Sequence, residues 1–298
     1  MDAWILNSGV RDAKKRGVKM LRIVTDTGSD ITYLGAKEVG MEVVELDVKF
    51  DEFEYDYRND LDFSTFYSNL VRAKNLPTTS QVTPAQYLDI FNDAKKKGDQ
   101  VLVVTLSGGL SGTHSSAKMA EEECEYDGIA IIDSRQATCA VRLLAEYAVK
   151  LRDEGKPLAE VVQLTTAMRD RLGLVASLDT LTYLKKGGRI PPAMALIGNM
   201  MKVKPVIILD ESGKIEPLEK VRGVAAAKKA IWTRFEADGF DPSYPVKFGY
   251  TNDKQRGTEF MTETVEKFKI KDYSIHPVGG VIGTHTGPGA FVVAYFKK

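Results

Sequence analysis

Cysteine is almost missing from this 298-residue chain, which holds only Cys124 and Cys139. Two cysteines at this spacing build neither a disulfide framework nor a zinc-type ligand set. Cys139, with Ala140 and Val141 beside it, is expected in the core. An excess of one charge is also missing. Lys+Arg and Asp+Glu both number 41, and the formal net charge is zero. The chain therefore has no global basic field to draw nucleic acid or an anionic membrane. No apolar run reaches the roughly 18 residues that a membrane-spanning helix requires. The N-terminus lacks the apolar stretch of a secretory signal. The expectation is a cytoplasmic protein with no nucleic-acid partner and no integral membrane association. Histidine is scarce, three residues in all, so each can be weighed singly. No cluster of metal-ligating residues stands out, and no metal or cofactor is expected.

What the chain does have is an ordinary globular composition, 43% hydrophobic and 28% charged. Its length, as a soft prior, corresponds to two domains. Leu21–Thr25, Val43–Val48, Val101–Leu106 and Ile129–Asp133 read as strands. Helical spacing lies between them, at Asp62–Ala73 with Phe63, Phe66, Leu70 and Val71 on one face, and from Thr83-Pro84 onward. The apolar run at Val101 suits a strand covered on both faces of a parallel sheet. Strands alternating with helices indicate a doubly wound α/β domain with a parallel sheet over residues 21–170. From Gly173 the pattern changes. Leu174–Ser177 is strand-like and Leu178–Leu184 helical. Val206–Leu209 and Ile215–Leu218 flank the turn Asp210-Glu211-Ser212-Gly213 as a hairpin. Further strands are expected at Val246–Tyr250 and Ala290–Phe296. Residues 171–298 thus read as an α+β domain with a mixed sheet. Residues 1–20, with Arg11, Lys14, Lys15, Arg16 and Lys19, read as a peripheral extension.

Three polar loops carry the chemistry. Gly283-Thr284-His285-Thr286-Gly287-Pro288-Gly289 sets one imidazole between two hydroxyls and is expected to be a tight loop. Such groups can grip a small anion; the alternative is a surface turn with an incidental histidine. Pro77-Thr78-Thr79-Ser80-Gln81 places three hydroxyls and an amide ahead of a helix, where capping accounts for one of them. Ser107-Gly108-Gly109-Leu110-Ser111-Gly112-Thr113 links the strongest strand to a helix. It offers backbone N–H groups and a favourable dipole to an anion, but it lacks the Lys-Ser/Thr pair of a nucleotide-binding P-loop. Asp26 and Asp30 invite a phosphatase reading, which the glycine at position 28 weakens.

These loops, with Thr25-Asp26, Asp133-Ser134, Leu184-Lys185-Lys186-Gly187-Gly188-Arg189-Ile190 and Lys204-Pro205, resemble the DegV family of bacterial lipid-binding proteins, which includes the FakB fatty-acid-binding subunits. The resemblance runs from about residue 21 to the end. It implies two domains with a long-chain fatty acid buried between them. It implies that Thr79, Ser111 with the Gly112 backbone, and His285 hold the carboxylate. Ser80, Ser107 and Thr284 are further pocket candidates. In FakB members the bound acid is presented to a separate kinase, FakA, so a FakA-like partner is implied, with Arg189 and Arg222 as candidate docking residues; either could equally be a solvated surface charge. Two departures are Asp26-Thr27, where the family often has Asp-Ser, and Asp133–Thr138, which lacks a glycine-rich continuation.

The residue chemistry is compatible with that implication. A buried carboxylate must be hydrogen-bonded, and the acyl chain needs only apolar walls, each buried methylene contributing roughly 0.8 kcal/mol. Leu178, Leu181, Leu184, Met194, Leu196, Ile197, Met200 and Met201 are candidate walls, although core packing explains most of them equally well. Two readings are carried forward. One is a non-catalytic carrier. The other is a hydrolase or phosphotransferase on an acyl or lipid-like substrate, with Ser111 as nucleophile and His285 as base, for which no acidic residue to orient His285 is evident.

Overall fold

The computed structural model describes residues 20–58, 62–190 and 203–298. The candidate walls Met194, Leu196, Ile197, Met200 and Met201, and all but the last residue of the extension 1–20, lie outside them.

The first sheet is parallel throughout. It consists of β1 (Leu21–Asp26), β2 (Glu42–Val44), β5 (Gln100–Thr105) and β6 (Ile129–Asp133), in the order β2-β1-β5-β6. Alternate residues serve opposite faces. Ile23, Leu102 and Val104 pack against α5 (Cys139–Asp153) and α6 (Leu158–Arg169). Val24, Val101 and Val103 pack against α3 (Pro84–Lys97) and α4 (Thr113–Cys124). This two-sided burial explains the continuous apolar run at Val101. A capping box in which Thr83 and Gln86 bond each other's backbone starts α3, with Pro84 in its first turn.

The segment expected as one strand over Val43–Val48 is divided. After β2 the chain leaves the sheet, and β3 (Val48–Lys49) pairs with β4 (Thr78–Thr79) in a separate antiparallel ribbon. Two elements depart further from expectation. The one-turn helix α1 (Tyr33–Glu38), capped by Thr32, is too short to show a period. In α2 (Ser64–Arg72), Phe66 and Leu70 are buried but Val71 is 64% exposed.

The second sheet is mixed, as expected. It contains β7 (Leu172–Ser177), β8 (Val203–Leu209), β9 (Ile215–Arg222), β10 (Val246–Tyr250), β11 (Tyr273–Pro277) and β12 (Phe291–Phe296), ordered β11-β10-β12-β7-β8-β9. Only the β10–β11 pair is parallel. One face carries α8 (Val224–Asp238) and α9 (Lys254–Phe268) on Val175, Val206, Phe248, Phe291 and Val293. The other face, through Leu174, Ala176, Ile207, Val292 and Ala294, meets Cys139 and Ala140 at the start of α5. Helix α5 therefore lies between the two sheets. The helix expected at Leu178–Leu184 begins later, as α7 (Thr182–Lys186).

The Gly283–Gly289 segment is not simply a loop. Gly280–Thr286 forms helix α10, and His285 stands in its last turn. Gly287 ends the helix with φ 71°, a left-handed value that costs glycine least.

Candidate functional site

Two buried aspartates bring the loop ends together. Asp26 accepts hydrogen bonds from the Gly28 and Leu106 amides, at 2.9 and 2.7 Å, so it pins the start of the Ser107–Thr113 loop. Asp30 accepts from the Thr138 hydroxyl and from the Gly279 amide, the latter at 2.8 Å, so it pins the entrance of α10. Burial pushes both carboxyls up to about 7. Their oxygens are engaged by the fold, and neither residue lines the cavity described next, which argues against the phosphatase reading.

Between the carboxyl ends of the first sheet and the inner face of the second lies a cavity of about 330 Å3, within the range of ligand sites. Leu174, Ala176, Ile207, Leu209, Ile215 and Val292 give it an apolar floor, joined by the expected walls Leu178 and Leu184. Leu181 packs into the same cluster from outside the lining. Its polar end holds Thr79, Ser80, Gln81, Ser111, Gly112, His285 and Thr286. Arg189 is the sole formally charged residue among those described in the lining, and no carboxylate is among them.

The polar groups are already oriented. His285 Nε2 lies 2.9 Å from Thr79 Oγ1. Its Nδ1 is buried, has no hydrogen-bond partner among the described residues, and faces Gly187, where a Cβ would come within 2.1 Å of it. Glycine is required at 187 for this close approach. A buried N–H without an acceptor is rarer than an unsatisfied acceptor, which favours the tautomer with hydrogen on Nε2. In that form Nε2–H donates to Thr79, and the Thr79 hydroxyl keeps its own hydrogen for the cavity. Ser111 Oγ lies 2.9 Å from Thr113 Oγ1 and accepts from the Thr113 amide at 3.3 Å. When Thr113 donates, the Ser111 hydroxyl hydrogen is likewise left for an acceptor. The Gly112 amide, at the N-cap of α4, has no acceptor among the described residues. Two hydroxyls and an amide thus converge at a helix N-terminus, where the dipole also favours an anion.

Burial, and secondarily the charge of Arg189, pushes the His285 imidazole down to about 4. It is neutral at pH 7. Because the unfolded value is near 6.5, the fold loses stability as pH falls from about 6.5 towards 4. A carboxylate placed nearby favours the charged imidazole. His285 is therefore expected to titrate near 4 in lipid-free protein and higher once a fatty acid is bound, as followed by NMR of the ring. A titration that loading does not move would remove His285 from the carboxylate's surroundings.

The remaining sequence candidates divide. Ser80 lines the cavity but its hydroxyl donates outward to Asp47. Ser107 does not line it: its buried hydroxyl donates to the Gly213 carbonyl at 2.7 Å and ties the loop to the β8–β9 hairpin. Thr284 is also absent from the lining and bonds back to the Gly280 carbonyl within α10. Arg189, distant in sequence, stands at the cavity beside the Leu110 and Gly187 carbonyls, to which it donates. Arg222 is exposed at the end of β9 and outside the lining. The pair needed by a Ser111–His285 hydrolase is not formed, because His285 partners Thr79 and no acid among the described residues orients its Nδ1. Gln81 was read in the sequence only as the amide of its loop and was not assigned to the pocket. It donates to Ser116 at 2.7 Å and packs over Gly112, where a Cβ would meet its Oε1 at 2.0 Å; its place beside Thr79-Ser80 was the available signal. Among the described residues there is no cluster of His, Cys, Asp and Glu fit for a metal ion, and no helix long and apolar enough to cross a membrane.

With this geometry in view, comparison with known proteins is informative. A model of the DegV family, described as a family of uncharacterised proteins, matches residues 20–298. The chain is 31% identical over 281 residues to the DegV domain-containing protein YteA of Lactococcus lactis, covering 91% of this chain and 96% of that protein. Its structure is similar to a DegV family protein of Thermus thermophilus described for fatty-acid binding, with TM-score 0.82 and 28% identity over 93% of this chain and 99% of that one. It is also similar to DegV of Bacillus subtilis, described as a fatty acid binding protein, with TM-score 0.80 and 28% identity over 94% and 100% of the two chains. The Streptococcus pneumoniae fatty acid kinase B3 protein, solved with linoleic acid, shares the fold at 23% identity, with TM-score 0.80 over 94% and 100%. A family match over the whole described fold, on a chain whose three hydroxyl-bearing segments meet at one cavity, places this protein in the DegV family.

Proposed function

We propose that the cavity holds a long-chain fatty acid and that the protein is a non-catalytic carrier presenting it to a fatty acid kinase of the FakA type. The observation that carries this reading is the segregation of the lining. Hydroxyls, the Gly112 amide and a neutral imidazole gather at one end, and the rest is mainly apolar, with no carboxylate among the described lining residues. That end satisfies a buried carboxylate, whose desolvation would otherwise be very costly. The apolar end provides affinity through methylene burial, less the cost of ordering the chain. The likeness to fatty-acid-binding DegV proteins at 28% identity supports the same ligand class. The fold shared with a fatty acid kinase B protein supports the handover. The test is direct. Purified protein is denatured and its organic extract weighed by mass spectrometry, with about one long-chain fatty acid per chain expected. His285→Ala is expected to lose most of it while staying folded. Wild-type protein that remains lipid-free after incubation with oleate would refute the reading.

Arg189 separates binding from transfer. It is exposed at the cavity, and exposed charges chiefly set association rate and its salt dependence. Arg189→Ala is expected to keep bound fatty acid yet slow acyl-phosphate formation by a fatty acid kinase, more so at low salt. Loss of lipid together with turnover would instead assign Arg189 to carboxylate binding.

A further inference from the structure

The fatty-acid reading gives Gln81 no task, although its carboxamide lines the polar end of the cavity beside Thr79 and Gly112. The residue is exposed, so it stands at the rim of that end. Two contacts fix the carboxamide. Its Nε2 lies 2.7 Å from Oγ of Ser116, on α4. Its Oε1, Cδ and Nε2 would stand 2.0, 2.6 and 2.9 Å from a Cβ at position 112. The group therefore rests on the Gly112 backbone, and any side chain there would displace it. Ser116 itself is buried and outside the cavity lining.

The two ends of a carboxamide are nearly alike in shape, and hydrogen bonds decide which end faces which neighbour. With Nε2 towards Ser116, the buried hydroxyl accepts, and its own hydrogen meets no acceptor among the described residues. The Gln81 oxygen, nearest Gly112, likewise meets no donor among them. Turned over, the carboxamide accepts from the Ser116 hydroxyl and presents its N–H beside the free Gly112 amide. The buried hydrogen is then paired, and leaving such a donor unpaired is costly. A carboxylate has about four lone-pair sites. The Thr79 and Ser111 hydroxyls and the Gly112 amide answer three of them. Arg189 already donates to the Leu110 and Gly187 carbonyls. The turned Gln81 provides the remaining donor.

We propose that Gln81 is a specificity-determining residue of the acyl site: held by Ser116 with its N–H towards the head group, it selects ionised fatty acids over neutral lipids of the same chain, such as fatty alcohols. This selection rests on the fatty-acid reading of the cavity. An alcohol oxygen accepts at most two hydrogen bonds and brings a donor of its own. It leaves converging donors unpaired, and a site built to hydrogen-bond one head group rejects most strongly the analogue that does so. Ser116 is the positioning residue. Without its hydroxyl the carboxamide can turn its oxygen to an alcohol.

The test is titration of delipidated full-length protein with oleate and with oleyl alcohol, and the ratio of the two affinities is read. Gln81→Leu keeps a side chain of similar bulk and removes the donor. It should lower the ratio about fivefold, the weight of one ordinary hydrogen bond, by weakening oleate while oleyl alcohol changes less than about twofold. Ser116→Ala, away from the ligand, should lower the ratio in the same direction and add nothing further when combined with Gln81→Leu. Gln81→Glu can still accept from Ser116 but sets a second carboxylate beside the head group, and should weaken oleate more than Gln81→Leu does. Equal weakening of both ligands in Gln81→Leu, the mark of a merely structural role, overturns the proposal. So does an unchanged ratio in Ser116→Ala, or full additivity in the double variant. A ratio lowered by Arg189→Ala and not by Gln81→Leu would give the remaining donor to the guanidinium instead. Wild-type protein that fails to bind oleate refutes the fatty-acid reading, whereas wild-type binding with ratios unchanged in the variants refutes only the selection by Gln81.

Discussion

Thr79→Val and Ser111→Ala, made together, are expected to leave a folded protein that no longer retains fatty acid. Both hydroxyls line the cavity, and each keeps a hydrogen for it once its neighbour donates, His285 to Thr79 and Thr113 to Ser111. Losing a donor to a charged acceptor costs about 1.5–3 kcal/mol, roughly tenfold or more in affinity for each residue. Both substitutions nearly preserve volume, so the apolar floor is untouched. There is a structural cost as well. Ser111 bonds the Thr113 amide at 3.3 Å and the Thr113 hydroxyl at 2.9 Å, where loss of a capping interaction typically costs about 1 kcal/mol, and Thr79→Val leaves His285 Nε2–H without its acceptor. Lipid per chain is measured by extraction and mass spectrometry, and melting is compared on delipidated samples, because bound ligand itself raises the midpoint. Unchanged lipid content in the double variant would return both loops to a capping role.

The same two loops show what was legible in the sequence. Ser and Thr before a helix signal a cap, and their excess over one cap signalled something more. Gly112 was visible as a helix-entry glycine, and its unpaired amide follows from that position. The parallel sheet was readable because the Val101–Leu106 run is covered on both faces and leaves no polar alternation. Features made by contacts between distant segments were not readable. Ser107 resembles a pocket hydroxyl in every local respect, but its partner is a carbonyl 106 positions away on the β8–β9 hairpin. Arg189 looked remote from the head-group loops because sequence distance hides the fold of α7 against α10, where His285 packs on Gly187. His285 was expected in a loop, since glycines and a proline crowd its segment. Yet Gly280 and Gly283 serve a helix there, by letting it press against Phe66.

That pressing of α10 on an aromatic cluster leads to the largest expected loss of stability. Phe66 is fully buried, with ring centroids 5.7 Å from Phe50, 5.7 Å from Tyr55 and 4.9 Å from Tyr67. A Cβ on Gly280 would come within 2.8 Å of the Phe66 ring, and one on Gly283 within 2.7 Å. The ring is the surface on which the seven-residue helix rests, and a helix this short has little stability of its own. Tyr67, next in the chain, adds a hydrogen bond of 2.9 Å to the Val278 carbonyl just before that helix. Phe66→Ala is expected to lower stability by about 3–5 kcal/mol, the usual cost of a large aromatic deletion in a core. It should also weaken fatty-acid binding, since α10 sets the position of His285 and hence of the Thr79 hydroxyl. Phe66→Leu refills much of the space and should recover most of both losses. Urea unfolding of delipidated protein gives the stability change, and oleate titration gives the affinity. Stability lost with affinity intact would mean that α10 holds His285 in place without the aromatic cluster, through Asp30 at Gly279 alone.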